Sequence, residues 1–142
     1  MDDPFGLDRF VHAQTGVYEV ALAELRAGRK KTHWMWFIFP QLEGLGNSLM
    51  ATRYAISGLP EARAYLAHPV LGPRLIESVE AVVGVTGASA QVIFGSPDDI
   101  KFRSCLTLFA AAAPWEAVFT TALDTYFGGV RDPVTADRVR KK

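Results

Sequence analysis

Residues 96–113 read SPDDIKFRSCLTLFAAAA, and their pattern decides the fold class. Ser96 is a capping residue, Pro97 suits the first turn of a helix, where its missing N–H costs nothing, and Asp98 and Asp99 put negative charge at the positive end of the helix dipole. No breaker follows before Pro114, so the spacing predicts a helix to about Ala113. Phe102, Cys105, Leu106, Phe109 and Ala113 fall on one apolar stripe, and Ile100, Lys101, Ser104, Thr107 and Leu108 lie roughly opposite it. A helix apolar on both sides is a buried one, so other helices are expected to pack around it. Lys101, Ser104 and Thr107 then each need a hydrogen-bond partner or a ligand.

Outward from this stretch, the rest of the chain reads as further helices. Leu7, Phe10, Val11 and Gln14 recur at helical offsets, placing an amide on an apolar face. Val17, Ala21, Leu22 and Leu25 form a second stripe that ends at Gly28, a residue suited to a left-handed cap. A turn or two of helix is expected over Leu49 to Ile56. Pro60 is placed to open a helix reaching Ala67, and Pro69 another carrying Leu71, Leu75, Val79 and Val82, with His68 as a cap between them. Gly84 to Ser89 is a small-residue linker, and Gln91 to Phe94 fits either a strand or a helical turn. Pro114 is expected to restart the chain into a helix with Val118, Phe119, Ala122, Leu123 and Tyr126 inward, stopped by Gly128 and Gly129. Asp132 before Pro133 can cap a last helix, and the basic end, 138–142, is expected to fray. The fold class is therefore mainly α: a compact single-domain multi-helix globule over 1–142.

Composition narrows the function classes. The 142 residues suit one core, and fifteen basic residues balance fifteen acidic ones, which argues against broad electrostatic capture of nucleic acid or an anionic membrane. Met1 is followed by Asp2 and Asp3, the reverse of a cationic signal-peptide front, and no apolar run is long enough to span a bilayer, so a cytoplasmic protein is expected. Cys105 is the single cysteine, and the histidines at 12, 33 and 68 are far apart. Neither a disulfide framework nor a metal site is expected. No Walker loop or dinucleotide glycine fingerprint is present, since GLGNS at 44–48 lacks the lysine of the one and the strand context of the other.

One segment is unlike the rest. RKKTHWMWFIF, residues 29–39, carries three cations, a histidine, two tryptophans and two phenylalanines in the eleven residues before Pro40. From His33 to Phe39 the pattern fits a short helix, a buried strand or an irregular segment, and the composition of the whole stretch suits a pocket wall. Arg29 and Lys30 with Lys31 offer an anion site, and Trp34 and Trp36 offer rings on which a base can stack. Solvated helix-end charge and core-filling tryptophans are the plainer alternative. His33 titrates near neutrality and is a candidate proton carrier, although no carboxylate to orient it is evident. Gln41 can both donate and accept to a ligand, and Gln14 and Tyr18, one helical turn apart, could join the same polar network. Lys101, with Ser104 three residues on, offers a cation beside a hydroxyl. A nucleophile and base pair is the less expected use of them, because no hydrolase elbow or β-lactamase signature surrounds them.

The blocks DRFVHAQ (8–14), YEVALAELRAGRKKTHWMWFIFPQLEGLG (18–46), RYAI (53–56), EARAYLAHPVLGPRL (61–75), IFGSPDDIKFRSCLTLF (93–109) and YFGG (126–129) resemble the DUF1810 family of bacterial and fungal proteins over nearly the whole chain. The resemblance implies a mainly helical fold and leaves the activity open, since the family is functionally uncharacterised. Some of its members are labelled calpastatin. The calpain inhibitor is a disordered repeat protein, and a chain with this many core stripes is not one. Members have also been grouped with proteins of NAD and ADP-ribose metabolism. Cys105 departs from the small or medium residue expected there, which counts against cysteine chemistry.

The expected site unites Arg29 to Gln41 with the helix of Ser96 to Phe109. The ligand expected there is small and phosphorylated or nucleotide-like, an ADP-ribose or NAD derivative among the candidates, and no cofactor or metal is required. In an enzyme, His33 or Lys101 would move a proton or stabilise negative charge while Trp36 positions the ligand. The rival readings are a protein or nucleic-acid binding module, using the cations as surface contacts, and an oligomeric scaffold without catalysis.

Overall fold

The structure is a computed structural model and describes residues 2–141. Ten helices account for the regular structure of the described residues: α1 (Asp8–Gln14), α2 (Tyr18–Arg26), α3 (Met35–Ile38), α4 (Leu49–Arg53), α5 (Leu59–Ala67), α6 (Leu71–Val83), α7 (Ala90–Phe94), α8 (Asp98–Ala112), α9 (Ala117–Phe127) and α10 (Pro133–Lys141). The α-helical reading therefore holds, with residues 33–39 forming one turn of helix between irregular ends. None of these helices is long and apolar enough to cross a membrane.

Helix α8 is the hub, packed on by α5, α7, α9 and α10, while α6 joins α2, α5 and α9 in a second layer. Every residue from Ser104 to Ala110 is buried, as a stripe on both faces requires. The polar groups enclosed with them turn to the backbone one turn back: the Ser104 hydroxyl donates to Ile100 O (3.2 Å) and that of Thr107 to Arg103 O (2.8 Å). Aromatic rings hold the layers together. Phe102 stacks on Phe94 with centroids 4.6 Å apart and meets Phe39 edge-on at 5.0 Å, tying α8 to α7 and to the aromatic segment.

Several start signals act differently from the sequence expectation. Ser96 makes no cap bond; the residue at the cap position of α8 is Pro97, joined to Ser96 by a cis peptide bond. Pro69 lies two residues ahead of α6, and the cap is supplied by His68, whose Nδ1 accepts the amides of Val70 (3.1 Å) and Leu71 (3.2 Å). Pro114 lies outside α9, which starts at Ala117. The expectation over Leu49 to Ile56 is half right: α4 ends at Arg53, and Ile56 leaves it to form a single parallel bridge with Leu42. Residues 138–141 are helical, because Val139 is buried and α10 packs on α8; Lys142 lies outside the described residues. Asp132 does cap α10, its Oδ2 accepting the Thr135 amide at 2.8 Å and hydroxyl at 2.6 Å.

Candidate functional site

The aromatic segment is held by one carboxylate. Glu24, in the last turn of α2, accepts the amides of Lys31 (2.7 Å) and Thr32 (3.0 Å), the Thr32 hydroxyl (2.7 Å) and the Trp34 indole N–H (3.0 Å). Burial opposes ionisation of Glu24, but these four donors outweigh it and bring its carboxyl down to about 2. A carboxyl with a depressed folded-state value stabilises above its ordinary value of 4.5 and loses that contribution as pH falls toward 2. We expect Glu24→Gln to destabilise the fold by about 2 kcal/mol at pH 7, because an amide cannot accept all four donors. Urea unfolding at pH 7 and pH 3 should find the difference between variant and wild type smaller at the lower pH. A difference independent of pH would mean that the charge on Glu24 is not what matters.

Beyond this clip, charge and aromatic groups alternate across to α8. Lys30 lies over the Trp34 ring (5.2 Å to the centroid) and its Nζ pairs with Asp98 at 3.1 Å. Asp98 also pairs with Lys101 at 3.6 Å, and the Lys101 ammonium stands 5.9 Å from the centre of Trp36. The two sequence blocks expected to form a site therefore meet. Two lysines share one carboxylate, which leaves the group with a net positive charge.

Next to it lies a cleft of about 460 Å³ between the Gln41–Ala51 loop and the first half of α8. Gln41, Lys101 and Ser104 line it together with Leu45, Asn47, Ile100, Asp132 and Val134. A narrow slot sharing Gln41, Leu45, Gly46 and Ala51 runs on to Trp36 and Tyr54. The start of the loop is pinned to Ile56, whose N donates to Gln41 O and whose O accepts from Glu43 N, each at 2.8 Å. Gly46 lets it approach α4, since a Cβ there would come within 2.8 Å of the Ala51 methyl.

The residues singled out from sequence divide accordingly. Trp36, Gln41, Lys101 and Ser104 belong to the cleft and its slot. Trp34 does not serve as a stacking platform, because it is fully buried with its indole N–H committed to Glu24. Lys30 is committed to Asp98, with only 8% of its side chain exposed. Gln14 is an interior residue: its amide donates to Phe37 O (2.8 Å) and the Tyr65 hydroxyl (3.2 Å), and Arg74 donates to its oxygen (3.2 Å). The expected link to Tyr18 runs through Arg74, whose guanidinium lies 4.7 Å from the Tyr18 ring centre. Arg29 and His33 are exposed and line neither the cleft nor its slot.

Sequence reasoning missed Asn47, Ile100, Asp132 and Val134 as wall residues. The polar GLGNS turn was a usable signal for the first. The sequence marks Asp132 only as a helix cap; beside the cleft it is tied to α8 by Thr107, which accepts its amide at 2.9 Å, and by Arg103 at 3.7 Å.

The Gln41 and Asn47 amides have no side-chain partner in the protein and Lys101 supplies charge, while Asp132 is occupied by Thr135 and by Arg103 at 3.7 Å. The Ser104 proton goes to Ile100 O rather than to Lys101, so the two do not form a nucleophile and base pair. Cys105 is fully buried, and burial pushes its thiol well above the ordinary value, away from thiolate chemistry. No group of three or more His, Cys, Asp or Glu side chains converges among the described residues.

The fold is closely similar to the crystal structure of the conserved hypothetical protein Rv1873 from Mycobacterium tuberculosis. The two share 53% identity over 97% of this chain and 99% of that one, with a TM-score of 0.96. No curated protein matches this chain. The family described as "Protein of unknown function (DUF1810)" matches residues 4–139, and the chain belongs to it.

Proposed function

We propose that the cleft between the Gln41–Ala51 loop and α8 binds a small phosphorylated or nucleotide-like ligand, with ADP-ribose and NAD derivatives in the class to be tried. The observation that carries this is the Lys101 ammonium at the cleft wall, sharing Asp98 with a second lysine and lying over Trp36. Because Asp98 stands closer to Lys30, part of the Lys101 charge is left for an anion. The unengaged amides of Gln41 and Asn47 can read hydroxyls or a base edge, and Leu45, Ile100 and Val134 provide apolar contact for a ring. A volume of about 460 Å³ lies within the range of small-molecule sites. Binding is favoured over catalysis, since no oriented acid and base face the cleft; in an enzymatic version Lys101 would stabilise developing negative charge.

Calorimetric titration with ADP-ribose, NAD, mononucleotides and sugar phosphates tests this reading. At least one should saturate below about a millimolar, and Lys101→Ala should weaken it roughly tenfold or more, the loss of one charge-assisted hydrogen bond. Failure of all of them to bind, or equal binding by Lys101→Ala, would overturn the assignment. The rival use of the exposed Arg29 and Lys31 as a nucleic-acid surface predicts instead a steep fall of affinity with salt that Lys101→Ala leaves in place.

A further inference from the structure

A second cleft lies where α5 and α6 meet the connection between α8 and α9, and it shares no residue with the first. We propose that it binds a free apolar α-amino acid. Its walls are Leu66, Ile76 and Ala113, and its volume of about 300 Å³ is at the lower end of small-molecule sites. That size suits a single amino acid and is small for a nucleotide.

Three further residues line the same cleft. Trp115 is 76% exposed, a large aromatic surface left in water beside an apolar hollow, which a ligand would cover. Arg63 is exposed; its Nε donates to Ala112 O at 3.1 Å, and its two terminal nitrogens, open to water, have no partner in the protein. Glu116, whose amide donates to Ala113 O at 2.9 Å, is also a lining residue, half-buried, and its carboxylate has no partner in the protein.

Two unpaired charges of opposite sign beside one apolar hollow select the ligand. A simple carboxylic acid would satisfy Arg63 and meet Glu116 as a like charge; a simple amine would do the reverse; a neutral hydrocarbon would engage neither charge. An α-amino acid carries a carboxylate and an ammonium on one carbon with an apolar body below them. Its carboxylate can take two parallel N–H donors from the Arg63 guanidinium, its ammonium faces Glu116, and its side chain covers Leu66, Ile76 and the Trp115 ring.

L-Leucine is the probe, followed by calorimetry and by tryptophan emission, to which the exposed Trp115 contributes. Saturable binding is expected, with 4-methylpentanoate, which lacks the ammonium, and 3-methylbutylamine, which lacks the carboxylate, each at least roughly tenfold weaker. Arg63→Gln and Glu116→Gln should each weaken leucine by about the same factor, and Lys101→Ala should not change it. Melting curves of the two Gln variants separate lost binding from lost folding, and the analogue series on the unmodified protein does not depend on them. No saturation by leucine up to about 50 mM, or either analogue binding as tightly as leucine, would overturn the proposal.

Discussion

Replacing Arg9 by Met should cost the protein about 4 kcal/mol of stability, the range for stripping the partner from a buried charge. The Arg9 guanidinium donates five hydrogen bonds: to Arg53 O (2.8 Å), Phe5 O (2.7 Å), Gly6 O (2.9 Å), Ala55 O (2.8 Å) and Glu61 Oε2 (2.9 Å). It thereby ties α1 to the end of α4 and the start of α5. Glu61 is only 3% exposed, and its other oxygen is taken by the amide and hydroxyl of Ser57 at 2.9 and 2.8 Å. Without Arg9 the carboxylate stays enclosed with its countercharge gone, and the carbonyls of Arg53 and Ala55 lose a donor. In thermal unfolding the loss corresponds to a fall in Tm of about 12 °C, taking roughly 3 °C per kcal/mol for a chain of this length. Pairing Arg9→Met with Glu61→Gln in a double-mutant cycle should recover part of the loss, because the amide needs no countercharge. A single-variant loss under about 1 kcal/mol would show that water replaces the guanidinium without penalty.

The second large effect is expected at Gly72, in the first turn of α6. A Cβ at this position would come within 2.0 Å of the Leu66 carbonyl oxygen and 2.8 Å of its carbon, both backbone atoms of α5. No rotamer change relieves a clash with backbone, so Gly72→Ala must push α6 off the end of α5. We expect about 3 kcal/mol of destabilisation, the upper end for overpacking, and a Tm lower by roughly 9 °C. Gly84 is the internal control. It closes α6 with φ −70°, and its nearest Cβ contacts would be at 3.5 Å. Gly84→Ala should change stability by less than about 0.5 kcal/mol. Similar losses in the two variants would mean that the helix junction adjusts freely. A lasting shift of α5 would also disturb Arg63 and Leu66, so leucine binding by folded Gly72→Ala protein gives a second reading of the same displacement.

Legibility differed by the range over which each feature is determined. The breakers and stripes that define α1, α2, α8 and α9 act within a few residues, so their positions could be read along the chain to within about three residues. Ser96, Pro69 and Pro114 are the exceptions, each lying two or three residues ahead of a helix that it does not itself cap or open. A cap is a hydrogen bond, and sequence marks a residue able to make one without saying which geometry it takes. His68 shows the converse, since a residue read as a cap supplies two cap bonds from a single ring nitrogen.

In the candidate site the same division separates Trp36 from Trp34. Two residues apart in one aromatic run, they look equivalent as stacking platforms, yet one borders the slot and the other is sealed beneath Lys30. The partner that separates them is Glu24, ten residues earlier on another helix, whose carboxylate accepts the Trp34 indole N–H. Lys30 and Lys101 read from sequence as a ligand-binding and a catalytic cation, and Asp98 pairs with both, standing nearer to Lys30.

By itself the sequence determined a helical protein with a doubly apolar central helix, a polar and aromatic segment unlike the rest, and membership of one family. Those properties follow from local spacing and from residue blocks that need no partner to be recognised. Only the tertiary structure decided that the two blocks meet through the lysine pair on Asp98, that Gln14 is interior packing, and that Arg63 and Glu116 flank a separate cleft. Each of those depends on which side chain reaches a given charge or carbonyl first, and that competition is settled in space between residues far apart along the chain.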